Sequence, residues 1–326
     1  MANIMIPPGW RIPERDATSE SVYMNRRALL KLMGLGGMAL AGAAAGCEFE
    51  RDDRPLAEKL KTYTLSEADK RVYPARHNPA FALDRAMTDE LVAAHYNNFY
   101  EFSDDKDDVW RKAALFQPRP WEVEVTGLVK RPFRMDVDQL ILKMPMEERL
   151  CRHRCVEAWA MAVPWTGFPM KALIEYVEPR SSVRFVAMTS FLRPVEAPGH
   201  RNEDLPWPYI EALTMAEALN PLTLLATGIY GHPLPKQHGA PLRLVTPWKY
   251  GYKSVKSIMR IDFTAGQPFT FWNTLLPGEY DFTANVNPAV PHPRWSQRTE
   301  KMIGTGERRD TVLYNGYGDH VAALYS

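Results

Sequence analysis

Two of the chain's three cysteines stand in one short segment, Cys151-Arg152-His153-Arg154-Cys155-Val156-Glu157-Ala158-Trp159; the third is Cys47. Thiolates are soft ligands and nucleophiles, so this segment can carry metal or redox chemistry. A structural zinc site would need four N or S ligands at paired spacings, and no second Cys or Cys/His pair exists. A C-x-x-x-C dithiol has an unusual spacing, although an oxidising compartment could pair the two. As a single soft ligand Cys155 is well placed, because Arg152, His153 and Arg154 make the segment electropositive, which lowers a thiol pKa and suits a bound metal. A buried structural cysteine beside Trp159 accounts for the same residues.

Two other segments offer binding chemistry. Asn97-Asn98-Phe99-Tyr100-Glu101-Phe102 sets two amides, a phenol and a carboxylate among aromatics, a donor and acceptor set for a flat heterocycle. Asn-Asn is equally a plain turn. Gln237-His238-Gly239-Ala240-Pro241-Leu242-Arg243 leads into the loop from Pro247 to Lys256, with cations flanking glycine. Arginine can fork onto a phosphate and backbone N–H groups can form a nest around one. A solvated basic loop is the competing reading. Gly34–Ala39 nominally fits G-x-G-x-x-A, but no strand precedes it. G-x-S-x-G and H-E-x-x-H are both missing, so the common hydrolase and zinc-protease readings lose their support.

The elements that position these residues belong to an ordinary globular chain of 326 residues, 45% hydrophobic and 24% charged, which excludes collagen, coiled coil and wholesale disorder. A formal charge of +1 lacks the basic excess of a nucleic-acid binder. Twenty-seven prolines favour a loop-rich mixed fold over a helical bundle. Alternation predicts a strand over 121–125 and a turn from Gly127 through Pro132. Helical apolar spacing covers Met170–Val177, and Val183–Met188 reads as a buried strand. Further strands at 242–246 and 255–263 bracket the aromatic loop 247–252. Helices and strands do not alternate regularly, so a mixed α+β fold is expected rather than a doubly wound parallel sheet.

The N-terminus reads as an address. A polar stretch ends in Asn25-Arg26-Arg27, then Ala28-Leu29-Leu30-Lys31 precedes a small, apolar run to Gly46. The run is short and rich in Gly and Ala, unlike the ~20 strongly apolar residues of a membrane span. Asn-Arg-Arg-x-Leu-Leu-Lys looks like a twin-arginine export signal, with an ordinary Sec signal as the alternative. That route carries folded proteins, so a cofactor is expected. Ala44-Ala45-Gly46-Cys47 resembles a lipoprotein box, but Ala44 stands where Leu is preferred, and lipid anchoring at Cys47 is the lesser reading. The division expected is a signal over 1–46, an extended lead over 47–90 with one short helix near Leu65–Val72, and a catalytic domain over 91–326.

Six motifs then coincide: YNNFYEF at 96–102, RCVEAW at 154–159, VPWTGFP at 163–169, QHGAP at 237–241, PWKYGYKSVKS at 247–257 and NVNPAVPHPRWSQRTE at 285–300. Together with Asn315-Gly316-Tyr317 they span the chain from about 91 to its end. The chain resembles the exported catalytic subunits of bacterial protein-methionine-sulfoxide reductases, molybdenum enzymes with a β-rich, sulfite-oxidase-type fold. The resemblance implies that Cys155 ligates molybdenum. It implies that Asn97, Tyr100, Glu101, Ser190, His238, Arg243, Ser254, Val255 and Lys256 hold a molybdopterin. Thr189 beside Ser190 leaves that register open, His238 stands where some members have Asn, and Cys151 has no regular counterpart. A soft ligand, a phosphate-capable loop and folded export all suit one anionic metal–pterin complex.

The activity implied is oxygen-atom transfer, which removes the oxygen of methionine sulfoxide in oxidised periplasmic proteins and releases it as water. This chain carries no haem motif such as C-x-x-C-H, so the resemblance also implies a membrane-embedded haem-binding subunit as electron donor. A sulfite dehydrogenase of the same fold, or an exported non-catalytic binding protein, are the alternatives. No nucleic-acid partner is expected, and the twin-arginine translocase is the expected export partner. Replacing Arg26 and Arg27 with Lys is expected to strand the protein in the cytoplasm. Cell fractionation reads this directly, and normal export of the variant would point to a Sec signal.

Overall fold

Val123 and Val125 are fully buried while Glu122, Glu124 and Thr126 between and beside them are not, the period-two signature of a strand with one face in the core. The computed structural model describes residues 55–61, 65, 67 and 69–326; the expected signal over 1–46 and Cys47 lie outside the described residues. The strands are β1 (Glu122–Gly127), β2 (Phe133–Asp136), β3 (Glu147–Arg154), β4 (Trp159–Pro169), β5 (Phe185–Ser190) and β6 (Ile210–Thr214). They continue with β7 (Leu224–Ile229), β8 (His232–Pro233), β9 (Arg243–Val245), β10 (Ile258–Thr264), β11 (Thr299–Met302) and β12 (Arg308–Asp310).

Two sheets result. One runs β2-β1-β10-β5-β6; the other runs β12-β11-β4-β7-β8, with β3 also on β4 and β9 also on β7. Most pairs are antiparallel, and β1 with β10 and β11 with β4 are the parallel ones. β4 is buried along nearly its whole length, as a strand covered on both faces must be. Helices are short. Among the described residues the longest, Met170–Val177, buries Met170, Leu173, Ile174 and Val177, the i, i+3, i+4, i+7 stripe that its sequence predicts. The mixed, β-rich α+β architecture expected from the sequence is the one observed.

Boundaries differ in detail. The strand expected over 183–188 runs instead from Phe185 to Ser190, so Ser190 pairs with Ile258 of β10 at its end. In the lead, the expected short helix is a 3₁₀ turn at Asp69–Arg71, and a separate helix forms at Leu56–Lys61. Six residues are too few to display a helical period, which is why that helix left no trace in the pattern. Another short helix, Glu90–His95, begins where the Asp89 side chain accepts the Val92 N–H at 3.2 Å. Among the described residues no helix is long and apolar enough to cross a membrane.

The chain changes sheet at one place that matters. β9 lies in the second sheet and β10 in the first, and the strands' flanks stay hydrogen-bonded across the crossover. Leu244 N–H donates to Val255 O (2.8 Å), Ile258 N–H to Leu242 O (2.9 Å) and Ser257 N–H to Gly239 O (3.1 Å). Gly239 sits at φ +93°, and a Cβ there would lie 2.6 Å from the Lys256 Cβ, so only glycine lets these segments meet. Within the main hydrophobic core, the rings of Phe99, Phe102, Phe116, Trp121 and Phe191 pack together and anchor the 97–102 segment beside this crossover.

His200 closes that aromatic cluster, edge-on to Phe191 (4.9 Å) and Trp207 (4.8 Å). Burial pulls its pKa down to about 4. The folded chain therefore keeps it neutral while the unfolded chain takes up a proton near pH 6.5. Stability is expected to fall as pH drops from about 6.5 to about 4, and His200→Phe to flatten that limb in denaturant titrations.

Candidate functional site

Three segments converge on one cleft enclosing about 800 Å³, part of it open to solvent. From the 97–101 segment come Asn97, Asn98, Tyr100 and Glu101. The β3–β4 turn supplies His153, Cys155, Glu157 and Trp159, and the crossover supplies His238, Arg243, Ser254 and Lys256. Tyr209, Tyr252, Trp272 and Tyr280 complete an aromatic wall.

Cys155 occupies a tight turn between two paired strands. Its N–H donates to Trp159 O at 2.9 Å, and Ala158, with φ 65°, donates back to Cys155 O at 3.0 Å. Trp295 Nε1 and Gln297 Nε2 both donate to Val156 O at 2.7 Å, pinning the next peptide. The thiol itself receives the Asn98 amide at 3.3 Å, and the same amide reaches Glu157 Oε2 at 3.1 Å. Glu157 in turn pairs with Lys106 at 3.2 Å.

The electropositive setting expected for Cys155 is not what forms. Arg152 turns away to Asp84 (2.8 Å) and Asn315 O (3.0 Å). Arg154 is fully buried against Gln297 (2.8 Å) and Glu300 (3.3 Å). His153 does face the cleft, but burial together with Arg243 and Lys256 pulls its pKa down to about 3, so it is neutral. Burial and the Glu157 carboxylate push the Cys155 thiol up to about 12. Alternation along β3 sends neighbouring side chains to opposite faces, which is why cations adjacent in sequence do not sum at the thiol. A bound metal would have to supply the charge that ionises it. Cys151 is buried on β3, away from the cleft lining, with its thiol likewise raised to about 12 by burial. Both thiols are free.

The basic loop divides in two. Lys249 pairs with Glu217 at 2.5 Å and Lys253 with Glu211 at 2.9 Å, all four nearly or fully buried. These are structural. Arg243 and Lys256 face the cleft instead, and among the described residues neither forms an ion pair with a carboxylate. Their cations lie over rings, Arg243 4.5 Å from the centre of Trp165 and Lys256 5.1 Å from that of Phe99. Burial lowers both, Arg243 to about 9 and Lys256 to about 8. Glu101, 3% exposed, is pushed up to about 7 by burial, with Lys256 opposing. His238 Nε2 is buried with no hydrogen-bond partner among the described residues. Two cations without a carboxylate in ion-pair contact and an unpaired imidazole nitrogen suit a ligand carrying phosphate and other acceptors.

Eight of the ten sequence-predicted site residues line the cleft: Asn97, Tyr100, Glu101, Cys155, His238, Arg243, Ser254 and Lys256. Ser190 and Val255 do not. The Ser190 hydroxyl donates to Lys256 O at 2.8 Å, and Val255 is fully buried with its carbonyl on Leu244 N–H. Both hold the crossover from behind. Asn98, which the family resemblance does not mark, also belongs to the site. Its amide reaches the thiol while the Asn97 amide donates to Ala94 O at 2.8 Å, and only the turn geometry distinguishes two adjacent asparagines. The wall residues Tyr209, Trp272 and Tyr280 carried no local signal, since aromatics are common throughout this chain.

A family model described as the oxidoreductase molybdopterin binding domain matches residues 111–272. The chain is 45% identical, over 318 residues, to the protein-methionine-sulfoxide reductase catalytic subunit MsrP of Burkholderia mallei; the match covers 96% of this chain and 93% of that protein. Among solved structures, the crystal structure of the sulfane dehydrogenase SoxCD from Paracoccus pantotrophus aligns with a TM-score of 0.45 at 13% identity. That alignment covers 84% of this chain and 63% of the other, so the chain spans less than two thirds of that relative's length.

The two kinds of lysine separate in a stability measurement. Lys249→Met leaves Glu217 buried without its partner and is expected to cost roughly 3–5 kcal/mol. Lys256→Met breaks no hydrogen-bonded ion pair, and Glu101, the carboxyl nearest it in charge, is already raised towards neutrality by burial; the substitution is therefore expected to cost less than Lys249→Met, as read by urea unfolding of the ligand-free chain.

Proposed function

We propose the function of this chain from one premise: it belongs to the family of protein-methionine-sulfoxide reductase catalytic subunits, with 45% identity to a member across nearly its whole length. The chain is a molybdopterin-binding oxidoreductase that reduces methionine sulfoxide. The alternatives of a sulfite dehydrogenase and a non-catalytic binding protein give way to that membership. The observation that carries the site assignment is the meeting of a soft thiol, Cys155, with the cations Arg243 and Lys256 in one cleft.

In this reading Cys155 is the protein's ligand to molybdenum. Among the described residues no group of three or more His, Cys, Asp or Glu is arranged to hold a metal ion, and a single thiol would hold molybdenum only together with donors carried by the cofactor itself. When bound, this cofactor supplies two-electron oxygen-atom transfer. The chain's own residues hold and enclose it. Arg243, Lys256 and the Ser254 hydroxyl take the phosphate, while Asn97, Tyr100, Glu101 and His238 offer the pterin donors and acceptors. Asn98 steadies the Cys155 sulfur, and Ser190 and Val255 fix the loop segment that carries Lys256. Tyr100, Trp272 and Tyr280 pack at 5.1 and 5.0 Å. Their wall excludes water and suits the polarisable sulfur of a methionine side chain.

The wider setting is part of the same proposal. Residues 1–46 direct the folded chain through the twin-arginine translocase to the periplasm, residues 47–90 form a lead, and 91–326 form the catalytic domain. Lipidation at Cys47 is the lesser alternative. Oxidised periplasmic proteins are the substrates, and a membrane-embedded haem-binding subunit supplies electrons; this is supported by the relative's description as a catalytic subunit and by the lack of a haem motif in this sequence.

Loss of the thiolate is expected to be decisive. Cys155→Ser should lower methionine-sulfoxide turnover by more than about a hundredfold, whereas Cys151→Ser should stay within roughly twofold because its thiol does not line the cleft. Turnover with a reduced dye, together with molybdenum content, checks this; equal losses in the two variants would overturn the single-ligand assignment.

A further inference from the structure

A second, wider groove lies beside the cleft and shares a wall with it. It encloses about 1810 Å³, much of it open to solvent. Trp159 lines both spaces, and Tyr96 of the groove packs edge-on to Trp159 at 5.3 Å. The chain continues from Tyr96 directly into Asn97 and Asn98 of the cleft. Apolar surface dominates the groove: Leu91, Val92, Trp110 and Ile303 contribute it, and Leu91 is 41% exposed. Gly304, at φ +85°, lets its loop close against Val92, where an added Cβ would meet Val92 Cγ1 at 3.0 Å.

The groove's charges carry both signs. His95 pairs with Asp107 at 3.3 Å, and the Arg111 guanidinium lies 4.5 Å over the Trp110 ring. Such a surface recognises apolar side chains by burial and discriminates little by charge.

A methionine sulfoxide borne by a protein brings its main chain with it. Only the side chain can enter the cleft, so the flanking residues must run along the surface at its mouth. An extended chain advances about 3.3–3.6 Å per residue, so a side chain two or three residues from the sulfoxide reaches a groove that shares the cleft's wall. We propose that this groove seats the substrate polypeptide flanking the methionine sulfoxide, with an apolar side chain placed between Leu91, Trp110 and Ile303. The inference rests on the reading of the chain as a reductase of protein-bound methionine sulfoxide. It adds a specificity element outside the reacting centre, whose binding energy reaches kcat/KM for peptides and not for small sulfoxides.

Three substrates test it with a reduced dye as electron donor: N-acetylmethionine sulfoxide, a nine-residue peptide with central methionine sulfoxide and Leu two and three residues to each side, and its twin with Ser there. The wild-type chain is expected to favour the Leu peptide by about tenfold in kcat/KM, mainly through KM. Leu91→Glu and Ile303→Glu, both at solvent-touched positions, are expected to erase that preference while leaving the small sulfoxide unchanged. Equal rates on the two peptides in the wild-type chain would overturn the proposal. So would an equal loss on all three substrates in the variants, or a loss seen only when the membrane subunit replaces the dye, which would give the groove to the electron donor. A wild-type chain idle on all three substrates would sink the reductase reading itself, a result distinct from activity without peptide preference.

Discussion

Arg243 and Lys256 are held at the junction of two sheets over aromatic faces rather than against carboxylates, and much of the site follows from that placement. An isolated cation taken out of water is costly, and a ring face offsets only part of the cost. The fold tolerates it because the crossover between β9 and β10 is hydrogen-bonded along both flanks and because Gly239 permits the close approach. A carboxylate partner would have made the pair more stable by itself, and would have left less charge for a ligand. The same loop contains Lys249 and Lys253, which do have buried acidic partners. One stretch of sequence thus serves two electrostatic purposes, and the partners alone tell them apart.

The thiol side of the cleft follows a different logic. The neighbouring arginines do not activate Cys155: Arg152 is held by Asp84 and Asn315, and the pull of Arg154, itself held by Gln297 and Glu300, is outweighed by burial and Glu157. Burial and Glu157 keep the thiol protonated when nothing is bound. An inert thiol in an accessible cleft is protected from adventitious oxidation, which tracks thiolate character. Its geometry is nevertheless fixed by the turn, by Asn98 and by the clamp of Trp295 and Gln297 on Val156 O. Position is set by the protein; ionisation of the thiol is not.

Local pattern and composition were legible in the amino-acid sequence. The strand at β1, the helix Met170–Val177 and the mixed α+β class follow from apolar periods of two and 3.6, which burial alone enforces. Cys155, the 97–102 segment and the basic loop stood out because few residue types can ligate a metal or grip a phosphate, and their motifs carried the family resemblance. Tertiary structure decided what depends on direction and partnership. It separated Asn98 from Asn97, engaged Arg152 and Arg154 with other partners, assigned Lys249 and Lys253 to buried glutamates, and put Ser190 and Val255 behind the cleft wall. None of these is a property of neighbours along the chain. A side chain's charge acts through space over a few ångströms, and which groups come that close is settled only when strands distant in sequence are brought into register.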